Sequence, residues 1–351
     1  MNDSYVPVDA DLEPRLGVHS ARPLISVSAF EEAFVASTSY PRRLIDDIQH
    51  GSGQELTLQA NRDAFAGWRF AARVLRDVSN VETEVAVLGK PISLPVFISP
   101  TGLQGRVHPD AEIATAQAAA ATGTIFVRSE WATVGPEDVA RAAPGRLWQQ
   151  ANMLRDRALM HEYVQRAESA GYEAICLTVD NPRRARRPVD LLASRSTEVP
   201  YDPSFGWSDL EWFVGQTELD VILKGVGHPD DAAKAAASGI AGIIVSNHGG
   251  RQLDNARGTL EILPEIVASV DGAVEVYLDG GIRTGADVVK ALALGATAVG
   301  VGRPAIWGLA AGGREGVGEV LELLRLEIEE VLALIGEPIA RRLDRSAIVR
   351  V

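Results

Sequence analysis

The sequence predicts an α/β fold, a (β/α)8 TIM barrel with an N-terminal helical segment and a C-terminal helix. Three observations carry that expectation. Beyond Gly89, short apolar runs alternate with Ala-rich stretches of helical character, the runs number eight, and 351 residues suit a barrel with additions. Buried strands separated by helices form a parallel sheet, and eight such units close with their working face at the strands' C-terminal ends. A doubly wound sheet is the weaker alternative.

In chain order, residues 1–27 are mostly polar and aperiodic and read as an arm, leaving 28–351 as a single domain with an N-terminal helical cap. From Ser28 to Phe34 the spacing turns helical, with Ser28 as N-cap and Glu31 completing a capping box. A second helical stretch runs from Leu56 to Phe65, and His50-Gly51-Ser52-Gly53 between them marks a turn. The eight runs are Leu94–Ile98, Thr124–Val127, Arg146–Gln149, Ala174–Val179, Asp220–Leu223, Gly242–Val245, Val274–Leu278 and Ala298–Val301. Helices are expected between them, for example over Asp110–Ala120, Pro136–Ala143 and Asp230–Gly239.

A net charge of -13 argues against nucleic acid or an anionic membrane as partner, since both demand surplus cations. No run approaches the eighteen or so apolar residues of a membrane span, and the first residues lack a signal-peptide pattern. The single cysteine, Cys176, lies inside an apolar run and is expected to be buried as a small hydrophobe, which fits a cytoplasmic location. The histidines suggest no metal spacing, so no metal is expected.

The stretch Ser246-Asn-His248-Gly-Gly-Arg251-Gln-Leu-Asp254 follows the sixth run and sets a base three residues from a permanent cation. At a strand end His248 can reach a ligand, and Arg251 can fork onto a carboxylate or carbonyl oxygen. The bland alternative is a loop with a surface histidine. The last two runs end in Asp279-Gly-Gly281-Ile-Arg283 and Gly300-Val-Gly302-Arg303-Pro304, where glycines, helix N-termini and two arginines suit a phosphate. Tight turns without a ligand are the alternative there.

Taken together, these stretches resemble the FMN-dependent α-hydroxy-acid oxidase and dehydrogenase family, typified by glycolate oxidase, lactate oxidase and mandelate dehydrogenase. Further matches are Asn61–Phe65, Ser99-Pro-Thr101, Ser129–Thr133, Leu177–Pro182 with Arg187, and Leu223–Val226, so the similarity spans roughly residues 28–350. The resemblance implies FMN across the barrel mouth, held by Thr101, Gly102, Ser129, Gln150, Thr178, Lys224, Ser246, Asp279, Gly281, Arg283, Gly302 and Arg303. It implies His248 as the base that removes a substrate proton, Asp180 as the carboxylate orienting it, and Arg251 and Arg187 as substrate-binding cations. It also implies a homotetramer and reoxidation by O2 or by a protein or quinone acceptor.

Two departures concern the substrate. Where the family places two substrate-binding tyrosines, this chain has Asp47 or Ile48, and Asn152. The segment between Arg187 and Lys224, where the family builds a lid, is short, and Gly102 stands where relatives carry alanine. These changes lead to the expectation of an oxidoreductase acting on a C–H that bears a hydroxyl or amine beside a carbonyl. Its substrate would be larger than lactate, a biosynthetic intermediate or a carrier-bound acyl group. The alternatives are an ordinary small 2-hydroxy-acid oxidase, an FMN-binding protein that has lost turnover, and a flavin-free phosphosugar enzyme.

Overall fold

The computed structural model of the chain describes residues 23–188, 190 and 200–351. The expected arm therefore lies outside the described residues up to position 22, as does part of the short segment after Arg187. All eight apolar runs become parallel strands: β1 (Val96–Ile98), β2 (Ile125–Arg128), β3 (Arg146–Asn152), β4 (Ala174–Thr178), β5 (Asp220–Val226), β6 (Gly242–Val245), β7 (Glu275–Asp279) and β8 (Ala298–Val301). Each pairs with the next, and β8 closes onto β1 through Val299 opposite Val96. Strands β3 and β5 run three residues past the apolar stretches, so Gln150, Asn152 and Lys224 lie within strands rather than after them.

The barrel interior is packed. Phe97, Trp148 and Tyr277, from β1, β3 and β7, meet with ring centroids 5.8–5.9 Å apart. Gly300 leaves room for them, since a Cβ there would come within 2.7 Å of the Phe97 ring. With the inside filled by side chains, a ligand has space only at the C-terminal mouth.

Among the described residues, three helices precede the barrel: α1 (Val27–Ala36), α2 (Arg42–Gln49) and α3 (Leu56–Ala66). The cap expected at Ser28 is corrected to Ser26, whose Oγ accepts from the Ala29 N–H at 3.2 Å. Val27, Phe30 and Phe34 form one buried stripe, and burying Val27 draws the first turn back and leaves Ser28 inside the helix. Helix α2 has no counterpart among the expectations.

The long helix Arg303–Ile335 breaks at Gly312-Gly313 and packs against α1. Beyond it, Ile348–Arg350 pairs antiparallel with Trp68–Phe70, tying the chain end to the N-terminal segment.

That segment is fastened to the loop after β6. Asn61 and Asn247 exchange side-chain amide hydrogen bonds at 2.7 and 2.8 Å. The Asp254 carboxylate accepts from the N–H groups of Gln54 and Thr57. Gly250 sits so close to α3 that a Cβ would lie 2.7 Å from the Leu58 backbone. Through these contacts α2 and α3 reach over the barrel mouth.

Candidate active site at the barrel mouth

His248 occupies a left-handed backbone conformation at φ 60°, followed by Gly249 and Gly250 at φ 62° and 76°. Such a conformation is costly for a side-chain-bearing residue and persists where the surroundings enforce it. Ser246 Oγ does so by accepting from the His248 N–H at 3.1 Å, while the ring Nδ1 meets Asp180 Oδ1 at 3.0 Å. Asp180 comes from the end of β4, and Gly225 of β5 makes room for it: a Cβ at Gly225 would fall 2.6 Å from the Asp180 side chain. Burial pushes the Asp180 carboxyl up, but His248 and Lys224 outweigh it and hold the group below the usual carboxylate range. An ionised Asp180 fixes the proton on Nδ1 and leaves Nε2 as the proton-accepting atom.

Lys224 is buried on β5. Its Nζ donates to Ser246 Oγ at 2.8 Å and lies 3.2 Å from Asp279 Oδ2. Burial alone would lower its pKa, but the Asp279 and Asp180 carboxylates raise it, so it stays a cation. Across the mouth, Gln150 accepts from Ser129 Oγ at 3.2 Å and donates to Thr178 Oγ1 at 3.1 Å. Gly102 lies against Trp131, where an alanine methyl would come within 2.8 Å of the Trp131 Cβ, so glycine lets that stretch of chain approach.

Behind β7 and β8, Arg283 and Arg303 stand together. Burial and nearby Arg62 push Arg283 down to about 10. Burial and the charges of Arg251 and Arg283 put Arg303 further below its ordinary value. Arg303 donates to the carbonyls of Ile48 and Gly249, while its Nη2 is buried without a partner among the described residues. The helix beginning at Arg303 has no side-chain cap. Gly281, at φ 86°, admits no side chain, since a Cβ would meet the Asn61 carbonyl at 2.1 Å. Crowded cations, an uncapped helix N-terminus and side-chain-free turns form a site for a dianion.

At the opposite end of the mouth the polar groups pair with one another. Of the two positions the sequence left open for the first missing tyrosine, Asp47 turns its carboxylate into the mouth. Its Oδ2 is 2.8 Å from Arg106 Nη1, and its Oδ1 is 2.9 Å from Arg187 Nη2 and 3.5 Å from Arg251 Nη2. The carbonyls ending α2 take up more of the same cations: Arg251 donates to Asp47 O at 2.6 Å and to His50 O at 3.3 Å. Arg187 also forks onto Asp190 at 2.7 and 2.9 Å. Burial and Arg187 push Arg251 down to about 10. Asn152, expected to touch substrate, is turned toward the protein. It donates to Glu130 through Nδ2 at 2.7 Å and accepts from Asn181 at 2.8 Å. Burial raises Glu130 to about 7, against the opposing hydrogen bonds from Asn152.

A parallel barrel with a base, a buried lysine and an anion cradle around one mouth defines a barrel enzyme for a phosphate-bearing cofactor or substrate. The comparisons make the class specific. The profile of the FMN-dependent dehydrogenase family matches residues 36–199 and 192–350, and the chain belongs to that family. It is 41% identical to an L-lactate oxidase of Nostoc sp. over 91% of this chain and 97% of that one. It is also 41% identical to a glycolate oxidase of Arabidopsis thaliana, over 90% and 93% of the two chains. Among solved structures, a soluble mutant of the membrane-associated (S)-mandelate dehydrogenase from Pseudomonas putida superposes with a TM-score of 0.89 at 34% identity, covering 94% of this chain and all of that one. Among the described residues, no helix is long and apolar enough to cross a membrane.

FMN is the cofactor of the family, and the residues present fit it: the Arg283, Arg303 and glycine cradle suits its phosphate, and the Gln150, Thr178 and Lys224 groups suit a polar ring edge. Sequence reading missed Arg106, Glu130 and Asp190 as partners in the mouth. Asp47 and Asn152, named as substitutions for the tyrosines, pointed toward Arg106 and Glu130, and Arg187 pointed toward Asp190.

Proposed function

We propose that the protein oxidises a C–H bearing a hydroxyl or amine beside a carbonyl, with His248 as base, on a substrate larger than lactate or glycolate. Bound FMN supplies the two-electron acceptor at its N5. His248 Nε2 removes the substrate proton, and Asp180, paired through Nδ1, stabilises the imidazolium that results. Lys224 provides fixed positive charge next to Ser246 and Asp279, suited to the negative charge that collects on a reduced ring. Arg283, Arg303, Gly281 and Gly302 would hold the phosphate. Thr101, Gly102, Ser129, Gln150 and Thr178 would border the ring. Arg251 and Arg187 would face the substrate's carbonyl end, and Asn152 would act by ordering Glu130.

The observation that carries the reading is the 3.0 Å His248–Asp180 pair, held by backbone strain at the ends of two barrel strands. The loss of both tyrosine phenols from the mouth supports a larger substrate. We further propose a cytoplasmic homotetramer reoxidised by O2 or by a protein or quinone acceptor. The single cysteine, free and buried, supports the location, and the assembly rests on resemblance alone.

Anaerobic addition of 2-hydroxy acids, their amides and esters, and 2-amino analogues to the yellow protein tests this reading. Bleaching of the flavin by a larger compound ahead of glycolate and lactate is expected. Fastest bleaching by glycolate or lactate would instead indicate an ordinary small-acid oxidase.

A further inference from the structure

The surroundings of Asp47 bear on which acyl group the site accepts. Asp47 is 6% exposed, and its carboxylate is bracketed by three guanidiniums: Arg106 on Oδ2, with Arg187 and Arg251 on Oδ1. Arg187 is further balanced by Asp190, which also accepts from Arg184 at 3.1 Å. Arg251 spends its Nη1 on two main-chain carbonyls at the end of α2. The two cations best placed to grip an acid therefore already have a carboxylate partner in the chain. A free carboxylate arriving there meets like charge from Asp47 and finds the forked donors engaged. An uncharged carbonyl oxygen needs only one N–H and suffers no such repulsion.

We propose that Asp47 is a built-in counter-anion that sets specificity, so that the site selects an uncharged 2-hydroxyacyl compound, an amide, ester or thioester, over the free 2-hydroxy acid. This rests on the proposed oxidation. The hydroxyl-bearing carbon gives its hydrogen as a proton to His248, its hydroxyl proton is released to solvent, the two electrons of the broken C–H bond are taken up by the bound flavin, and a 2-oxoacyl amide or ester is released. Arg106 belongs to the same device, because it holds the side of Asp47 turned away from the arginine pair.

The test compares mandelate with mandelamide and methyl mandelate in anaerobic rapid mixing, using the FMN-loaded wild type, Asp47→Asn and Arg106→Gln. The wild type is expected to be reduced at least 10-fold more efficiently by the amide or ester than by the acid. Asp47→Asn should move that ratio at least 10-fold toward the acid, whereas Arg106→Gln, which removes a cation and leaves the Asp47 charge to the arginine pair, should move it by less and away from the acid. Preference of the wild type for mandelate, or an unchanged ratio in both variants, overturns the proposal. Thermal shifts with the unreactive pair phenylacetate and phenylacetamide separate its fate from that of the oxidation. If nothing bleaches the flavin but phenylacetamide stabilises the wild type more and Asp47→Asn reverses the order, Asp47 acts as proposed and the oxidation reading fails. No reversal, or no binding of either compound, overturns the counter-anion role.

Discussion

The barrel mouth has two ends that solve opposite electrostatic problems. At the phosphate end, burial and neighbouring cations lower both arginines, Arg62 acting on Arg283 and Arg251 with Arg283 acting on Arg303, and Arg303 keeps a buried N–H without a partner among the described residues. At the substrate end, Arg106, Arg187 and Arg251 surround Asp47, and Asp190 adds a second carboxylate. Arg303 keeps a buried donor for an anion, whereas Arg187 and Arg251 already share a carboxylate of the chain. One end of the mouth thus suits a charged cofactor group, and the other is the end proposed to favour an uncharged one.

The largest expected effect lies between these ends. Lys224→Met leaves Asp279 buried without its cation, and a broken buried pair costs on the order of 3–5 kcal/mol. Chemical unfolding of the flavin-free protein should show it. A loss below about 1 kcal/mol would mean that the buried charges are not coupled as described.

Next in size, Arg303→Ala removes a charge-assisted contact and should weaken FMN retention by about 1.5–3 kcal/mol in equilibrium dialysis. Unchanged retention would erase the contrast between the ends.

The smallest effect concerns Glu130. Its folded-state pKa of about 7 lies above the ordinary 4.5, so as pH rises the unfolded chain ionises first and stability falls between those values. Because its edge reaches solvent, the loss should be on the order of 1 kcal/mol. Glu130→Gln should flatten the thermal stability profile across that window. A profile that keeps its slope would assign the slope to another group.

The same contrast explains what the sequence reveals. Each barrel strand is a short apolar run followed by a polar residue, so His248, Asp180, Arg283 and Arg303 could be read from local pattern, and the resemblance attached roles to them. Asp47 is different. It sits in α2, an eight-residue helix whose buried face includes that carboxylate, so the apolar periodicity is interrupted where the site begins. Its partners lie 59, 140 and 204 residues away and become visible only once Asn61, Asp254 and Gly250 dock the N-terminal segment on the barrel. Ser28 misled for a related reason, since the buried stripe that includes Val27 set the helix start.

The most direct test of the redox centre is the rate of flavin reduction in His248→Asn, mixed anaerobically with whichever compound of the acid, amide and ester series bleaches the wild type fastest. Phosphate and ring contacts come from other strands, so the variant should keep its FMN while reduction slows by roughly 10²–10⁴-fold, the usual contribution of a positioned base. Reduction at the wild-type rate with FMN fully bound would contradict the assignment of His248 as the base.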